Sequence, residues 1–165
     1  MSPALRVTLE LGLLPDPDAL DLTYVPLADV TAVPEGATGQ DLGFEAGRVV
    51  IDAGGEPTRI EDTLRYLVGG LCLRSVPPLQ HGGTHTYRYV DFVGEVRLVV
   101  DGELVLVTGD EVRPVTCPRA ELLAAFVTLG EQLVDVMPRL LPGYAAYLDT
   151  VRPALDAARE ALGRR

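Results

Sequence analysis

Residues 84–115 read THTYRYVDFVGEVRLVVDGELVLVTGDEVRPV, and this stretch decides the fold class. Asp101-Gly102 separates two apolar, β-branched runs, Val96 to Val100 and Glu103 to Val107. Asp-Gly between such runs is a strong hairpin signal, because tight hairpin turns need the positive φ that glycine adopts without cost. A two-residue turn at Asp101-Gly102 predicts Val100 opposite Glu103, Leu98 opposite Val105 and Val96 opposite Val107. The other face then pairs Val99 with Leu104 and Arg97 with Leu106. One face is apolar away from the turn and the other is mixed, which predicts a sheet covered by helices on one side only. Gly109-Asp110 predicts a second turn, into a strand from Glu111 to Val115. Pro114 has no N–H to donate, so that strand belongs at an edge. Upstream, Thr84 to Val93 alternates as a strand, with Gly94 as a bend into the next.

Toward the N-terminus, Leu5, Val7, Leu9 and Leu11 alternate with polar residues and glycine, as a half-buried strand requires. The turn residues Pro15 to Asp18 end it, and Leu20 to Leu27 reads as a second strand. Residues 28–40 read as an exposed loop, and Phe44 to Ile51 as a hairpin turning at Ala46-Gly47. Thr58 and Glu61 have capping-box spacing, with Ile60, Leu64, Leu67, Val68 and Leu71 on one helical face. They predict a helix from Thr58 to Gly69, stopped by Gly69-Gly70, then a loop from Val76 to Gly83.

Toward the C-terminus, Pro118 opens a long amphipathic helix through Leu122, Phe126, Leu129, Leu133 and Val136. Pro138 is expected to kink or end it near Val136, and a last helix starts near Thr150. The whole predicts a single α+β domain over residues 1–165. Its antiparallel sheet, built on the Asp101-Gly102 hairpin, is packed by one mid-chain helix and two C-terminal helices.

Composition narrows function. At 165 residues the chain is long enough to bury roughly two-thirds of its unfolded surface. No apolar run approaches the roughly 20 residues of a membrane helix, and Met1-Ser2-Pro3 lacks the basic start of a secretory signal. A cytoplasmic location without membrane contact is the expectation. Cys72 and Cys117 are expected to be buried structural thiols rather than a bridge. The chain has no lysine, asparagine or tryptophan and is rich in arginine, alanine, glycine and proline, a codon bias that points to a GC-rich bacterial genome. Without lysine there is neither a Schiff-base amine nor a phosphate-loop lysine.

The net charge is −10, and it is unevenly placed. Residues 1–58 carry ten acids against two arginines, whereas residues 59–165 carry fourteen acids against twelve arginines. A field of that sign repels nucleic acid and attracts basic partners.

Motifs for chemistry are sparse. His81-Gly82-Gly83-Thr84-His85 is the best candidate, since two histidines four apart can share a metal ion, with Asp91 or a cysteine as third ligand. Metal sites usually need three or four protein ligands, and no CxxC or helical HxxxH supplies them, so ordinary loop and strand-edge histidines are the stronger reading. His81-Gly82-Gly83 is also similar to the oxyanion loop of some esterases. That chemistry needs a serine on a GxSxG elbow, and the only serines, Ser2 and Ser75, are not on one. Cys117, before Pro118 at a helix start, is the more reactive thiol by the helix-dipole argument. Neither GxGxxG nor GxxxxGK[ST] occurs, and no cofactor is expected. Arg65, Arg74, Arg88, Arg97 and Arg113 are candidates to converge on an anionic ligand.

Three readings follow. The first is a non-catalytic acidic module that binds a basic protein partner, the general profile of immunity proteins and antitoxins, through Asp16, Asp18, Asp21, Asp29, Glu35 and Asp41. The second is a small enzyme or ligand-binding protein with a pocket near His81, His85, Tyr87 and Arg88. The third is a structural subunit of a larger assembly.

Overall fold

In a computed structural model of the chain, residues 3–16, 18–38 and 45–164 are described. They form two four-stranded antiparallel sheets with helices, the α+β architecture expected. The first sheet has the order β2-β1-β3-β4, from β1 (Arg6–Leu13), β2 (Thr23–Pro26), β3 (Ala46–Asp52) and β4 (Thr58–Thr63). The second is a meander, β5-β6-β7-β8, from β5 (Thr84–Arg88), β6 (Glu95–Asp101), β7 (Leu104–Gly109) and β8 (Val115–Pro118).

The central hairpin forms with its turn one residue later than expected. Asp101 pairs with Leu104, Val100 with Val105 and Leu98 with Val107, so Gly102 and Glu103 make the turn. Gly102 has φ +59°, the left-handed value that the first central position of a primed turn demands. Each partner shifts by two residues, which preserves every face. Val96, Leu98, Val105 and Val107 are accordingly buried, while Val99, Leu104 and Leu106 are exposed on the outer face. β8 does lie at the sheet edge, but it begins at Val115; Glu111 sits in the preceding turn with φ +56°.

Between the sheets the sequence expectation fails in an informative way. Thr58 to Thr63 is strand, not helix, with Thr58, Ile60 and Asp62 turned inward and Arg59 and Glu61 outward. The segment satisfies both periods locally, and pairing with β3 decides between them. A helical passage then starts at Leu64, as α1 (Leu64–Tyr66), a π segment (Leu67–Cys72), a 3-10 turn (Leu73–Ser75) and α2 (Val76–Gln80). Gly69-Gly70 therefore lies inside the helical passage and does not stop it, and most of the expected loop is α2. Ala46-Gly47 is likewise no turn: it begins β3, where a Cβ on Gly47 would lie 2.7 Å from the Leu64 backbone. The glycine serves close approach. Phe44 lies outside the described residues.

After β8 come α3 (Arg119–Leu140) and α4 (Val151–Ala161). Pro138 stands within the last turn of α3 and does not end the helix at Val136. α3 buries Leu122, Leu123, Phe126, Val127, Leu129, Leu133 and Met137 in a hydrophobic cluster shared by both sheets and the helical passage. Gly130 lets α3 approach Leu73 and Leu155, which would crowd a Cβ to 2.7 and 3.2 Å. No helix of the described residues is long and apolar enough to cross a membrane.

Candidate functional site

Two surface regions gather the residues that sequence reasoning singled out. The first is the loop region around β2. Asp16, Asp18, Asp21, Asp29 and Glu35 are all exposed, and among the described residues none is ion-paired. The carboxylates of the neighbouring strands behave differently. Arg48 reaches Glu10 at 2.6 Å and Glu61 at 3.4 Å, along the row that the pairing of β1, β3 and β4 creates. Asp52 is held by Arg6 at 2.8 Å and Glu56 by Arg113 at 2.9 Å. Asp16 and Glu35 come together on one groove of about 340 Å³, lined also by Leu14, Pro15, Pro34 and Ala37. Asp18, Asp21 and Asp29 do not line that groove; Asp41 lies outside the described residues.

The second region is an open groove of about 660 Å³ between β5 and the helical passage. Tyr66, Gly70 and Arg74 line it from the helical side, and His85, Thr86, Tyr87, Arg88, Val90, Glu95 and Arg97 from the sheet. His81 is not part of it. α2 ends at Gln80 and β5 begins at Thr84, so His81 sits exposed in the intervening turn. The two histidines were linked in sequence by spacing alone. Among the described residues no group of three histidine, cysteine, aspartate or glutamate side chains is arranged to hold a metal ion.

His85 is pinned by a 2.7 Å hydrogen bond between Nε2 and the Gly70 carbonyl. Burial lowers its pKa first, and the Arg74 guanidinium lowers it further, against the opposing pull of the Gly70 carbonyl. Gly70 needs its missing side chain: a Cβ there would stand 2.9 Å from the Tyr87 ring. Tyr87 in turn donates to Asp62 Oδ2 at 2.6 Å. Burial, then the Asp62 carboxylate, pushes the Tyr87 phenol far above its ordinary range.

Asp62 is the junction between the sheets. It is 4 % exposed, and it accepts from Tyr87, from the Val90 and Asp91 backbone N–H groups at 2.7 and 3.1 Å, and from the Thr63 N–H at 2.8 Å. Asp91 accepts from the Thr63 hydroxyl at 3.0 Å. Its carboxyl is raised by burial and then by Asp62, while the Thr63 hydroxyl lowers it. Asp91 is thus occupied in a structural junction and is not offered to His85 as a fellow ligand. In the segment around Asp91, Tyr89 stacks on Phe92 at 4.0 Å and Val93 is fully exposed.

Of the candidate arginines, Arg74, Arg88 and Arg97 meet on the groove. Arg65 does not: it lies over the Tyr66 ring at 4.6 Å and donates to the Tyr66 hydroxyl at 2.7 Å. Arg113 is elsewhere, on Glu56. Sequence reasoning missed Tyr66, Gly70 and Asp62: Asp62 falls on the outer face of the helix expected from Thr58 to Gly69, Gly70 falls in its stop, and Tyr66 carries no motif.

Nucleophile chemistry finds no support in this arrangement. Cys72 and Cys117 are both free and fully buried. Burial pushes Cys117 up to about 11, opposite to the lowering expected from its place before α3, and Cys72 rises further. Ser75 donates its hydroxyl to the Cys72 carbonyl at 2.7 Å, and Ser2 is outside the described residues. Comparison of the chain with protein-family models, with curated proteins and with solved structures returns no match.

Proposed function

We propose that this protein is a non-catalytic binding module that docks a basic protein partner through the loops flanking β2, in the manner of immunity proteins and antitoxins. One observation carries the reading. On the first sheet and in the connection from β3 to β4, Glu10, Asp52, Glu56 and Glu61 are compensated by arginine, whereas among the described residues Asp16, Asp18, Asp21, Asp29 and Glu35 are exposed without an ion pair. A surface with its charges already paired gains little from a cationic partner. Uncompensated carboxylates in the loops before and after β2, on a chain of net charge −10, raise the local concentration of a basic partner and speed its encounter. The groove of Asp16 and Glu35, with prolines and Leu14 in its walls, suits an arginine or lysine whose stem is apolar and whose head is charged.

The test is affinity capture from the native host with the wild-type chain and with a variant carrying Asp16→Arg, Asp18→Arg, Asp21→Arg and Asp29→Arg. A stoichiometric basic protein held by the wild type at low salt, and lost both at high salt and with the variant, is the expected result. A partner retained equally by the variant, or no partner at all, overturns the reading. With the partner in hand, stopped flow should show a slower association rate for the variant, because exposed charges act chiefly on encounter.

A further inference from the structure

The groove beside β5 carries charge of the other sign, and the rest of the molecule makes that unusual. The chain has 24 acids against 14 arginines and lysines combined, so a groove with a surplus of cations runs against the net charge. Arg6, Arg48, Arg97, Arg113, Arg119, Arg139 and Arg159 all have a carboxylate partner. Among the described residues Arg59, Arg74, Arg88, Arg152 and Arg164 do not, and of these Arg74 and Arg88 line the same groove, one from each wall. Glu95 lines it too, but is taken by Arg97 at 2.6 Å. The groove charges, three arginines against one carboxylate, leave a surplus of two positive charges.

The walls are built around that surplus. Tyr66, Gly70 and Arg74 fall on one side of a helical passage that loosens from α to π over Leu67–Cys72 before tightening again. Such an irregularity gives up regular helical bonding and is frequently found at functional sites. Here the Gly70 carbonyl is taken up by His85, while the absent side chain admits the Tyr87 ring. Tyr87 is fixed from beneath by Asp62. The positions of the groove residues are therefore tied to the buried junction and not to a free loop, which is the preorganisation a ligand site needs.

We propose that this groove binds a phosphate-bearing ligand, with Arg74 and Arg88 as its phosphate-binding cations and Tyr66 as the wall for the group that carries the phosphate. Two guanidinium forks match phosphate oxygens in charge and in geometry. A dianionic phosphomonoester cancels the surplus of two, whereas a carboxylate leaves half of it. The proposal does not depend on the acidic loops, which lie on the other sheet.

Isothermal titration and thermal shift with inorganic phosphate, phenyl phosphate and benzoate test it on the full chain. Phenyl phosphate should bind at least about tenfold tighter than benzoate, and each of Arg74→Gln and Arg88→Gln should weaken it by about tenfold or more. Arg59→Gln removes an arginine that is likewise exposed and lies outside the groove, and should change nothing. Inorganic phosphate binding as tightly as phenyl phosphate would assign the site to the free ion and discard the role of Tyr66. The proposal fails if neither phosphate binds, if benzoate binds as well, or if Arg59→Gln is as damaging as the groove variants. All three arginines are exposed, so circular dichroism should report intact folding throughout.

Discussion

Asp16 and Glu35 reach their common groove from loops on either side of β2, and among the described residues no ion pair ties them to the body of the protein. Arg74 and Arg88 reach theirs from a helical passage and a strand that are bound to each other through Gly70, His85, Tyr87 and Asp62. The two faces differ in charge, and they differ more in how they are supported. Charge on the loops can be changed without touching the core. The arginine groove cannot be reshaped without disturbing the contact between the sheets. Substitutions should therefore split into two classes, separable by whether stability and binding move together.

The largest effect belongs to the junction. Asp62→Ala removes the acceptor for the Tyr87 hydroxyl and for the N–H groups of Val90 and Asp91, in a site 4 % exposed. Leaving the buried Tyr87 donor without a partner costs about 1–3 kcal/mol, and the part-buried N–H groups of Val90 and Asp91 add less, so a loss of at least about 2 kcal/mol is expected in urea unfolding. Binding at the arginine groove should weaken with it. A loss below about 1 kcal/mol would show that the sheets hold together without this carboxylate.

Gly70→Ala comes next. Its Cβ would meet the Tyr87 ring at 2.9 Å, and Tyr87 cannot retreat freely while it donates to Asp62. Overpacking of this kind costs about 1–3 kcal/mol. The sharper readout is the split: phenyl phosphate affinity should fall, while capture of a basic partner by the acidic loops should not. If both fall together, the two faces are coupled and the contrast drawn between them is wrong.

These residues also mark where the sequence was legible. The hairpin could be read because its signal is local: Asp101-Gly102 between β-branched runs leaves few alternatives, and its register erred only by the placement of the turn. Thr58 to Thr63 is strand where a helix is expected because Thr58, Ile60 and Asp62 fit a period of two while Ile60, Leu64, Leu67 and Leu71 fit a helix; from Leu64 the chain is helical as expected. Only pairing with β3 chooses, across residues 53–57, and the segment's own periodicity does not announce that pairing. The acidic loops were visible as composition. The arginine groove was only half visible: Tyr87 and Arg88 were singled out beside His85, but the approach of Gly70 and Arg74 depends on how the helical passage packs against β5.

Acid titration gives a smaller and more selective effect. His85 has its pKa lowered in the fold, so the fold favours the neutral ring. The unfolded chain takes up its proton first, at about the ordinary value of 6.5, so stability is unaffected above that pH and declines as pH falls below it. His85→Gln should flatten that part of the stability profile relative to wild type. Asp91 acts in the opposite direction. Its carboxyl is raised, so its contribution is full below about 3.8 and is lost as pH rises through the raised value. Asp91→Asn should therefore narrow the difference in stability between acid and neutral pH. An unchanged profile in both variants would mean that neither group senses the groove and the junction as their surroundings imply.

The smallest effect tests the other face. Asp18→Asn removes an exposed charge whose side chain makes no ion pair among the described residues, and Arg113→Gln breaks an exposed pair with Glu56. Exposed pairs contribute about 0–1 kcal/mol, and an unpaired surface charge contributes less, so both variants should unfold within about 0.5 kcal/mol of wild type. Their effects on association should differ. Asp18→Asn removes a charge that a basic partner can use, and should slow its encounter at low salt. Arg113→Gln frees Glu56, adds to the uncompensated negative field, and should speed it slightly. Opposite shifts in association rate with no change in stability would establish that unpaired carboxylates, rather than the fold beneath them, attract the partner. Equal or absent shifts would remove the reason for setting the loops apart from the paired carboxylates of the strands.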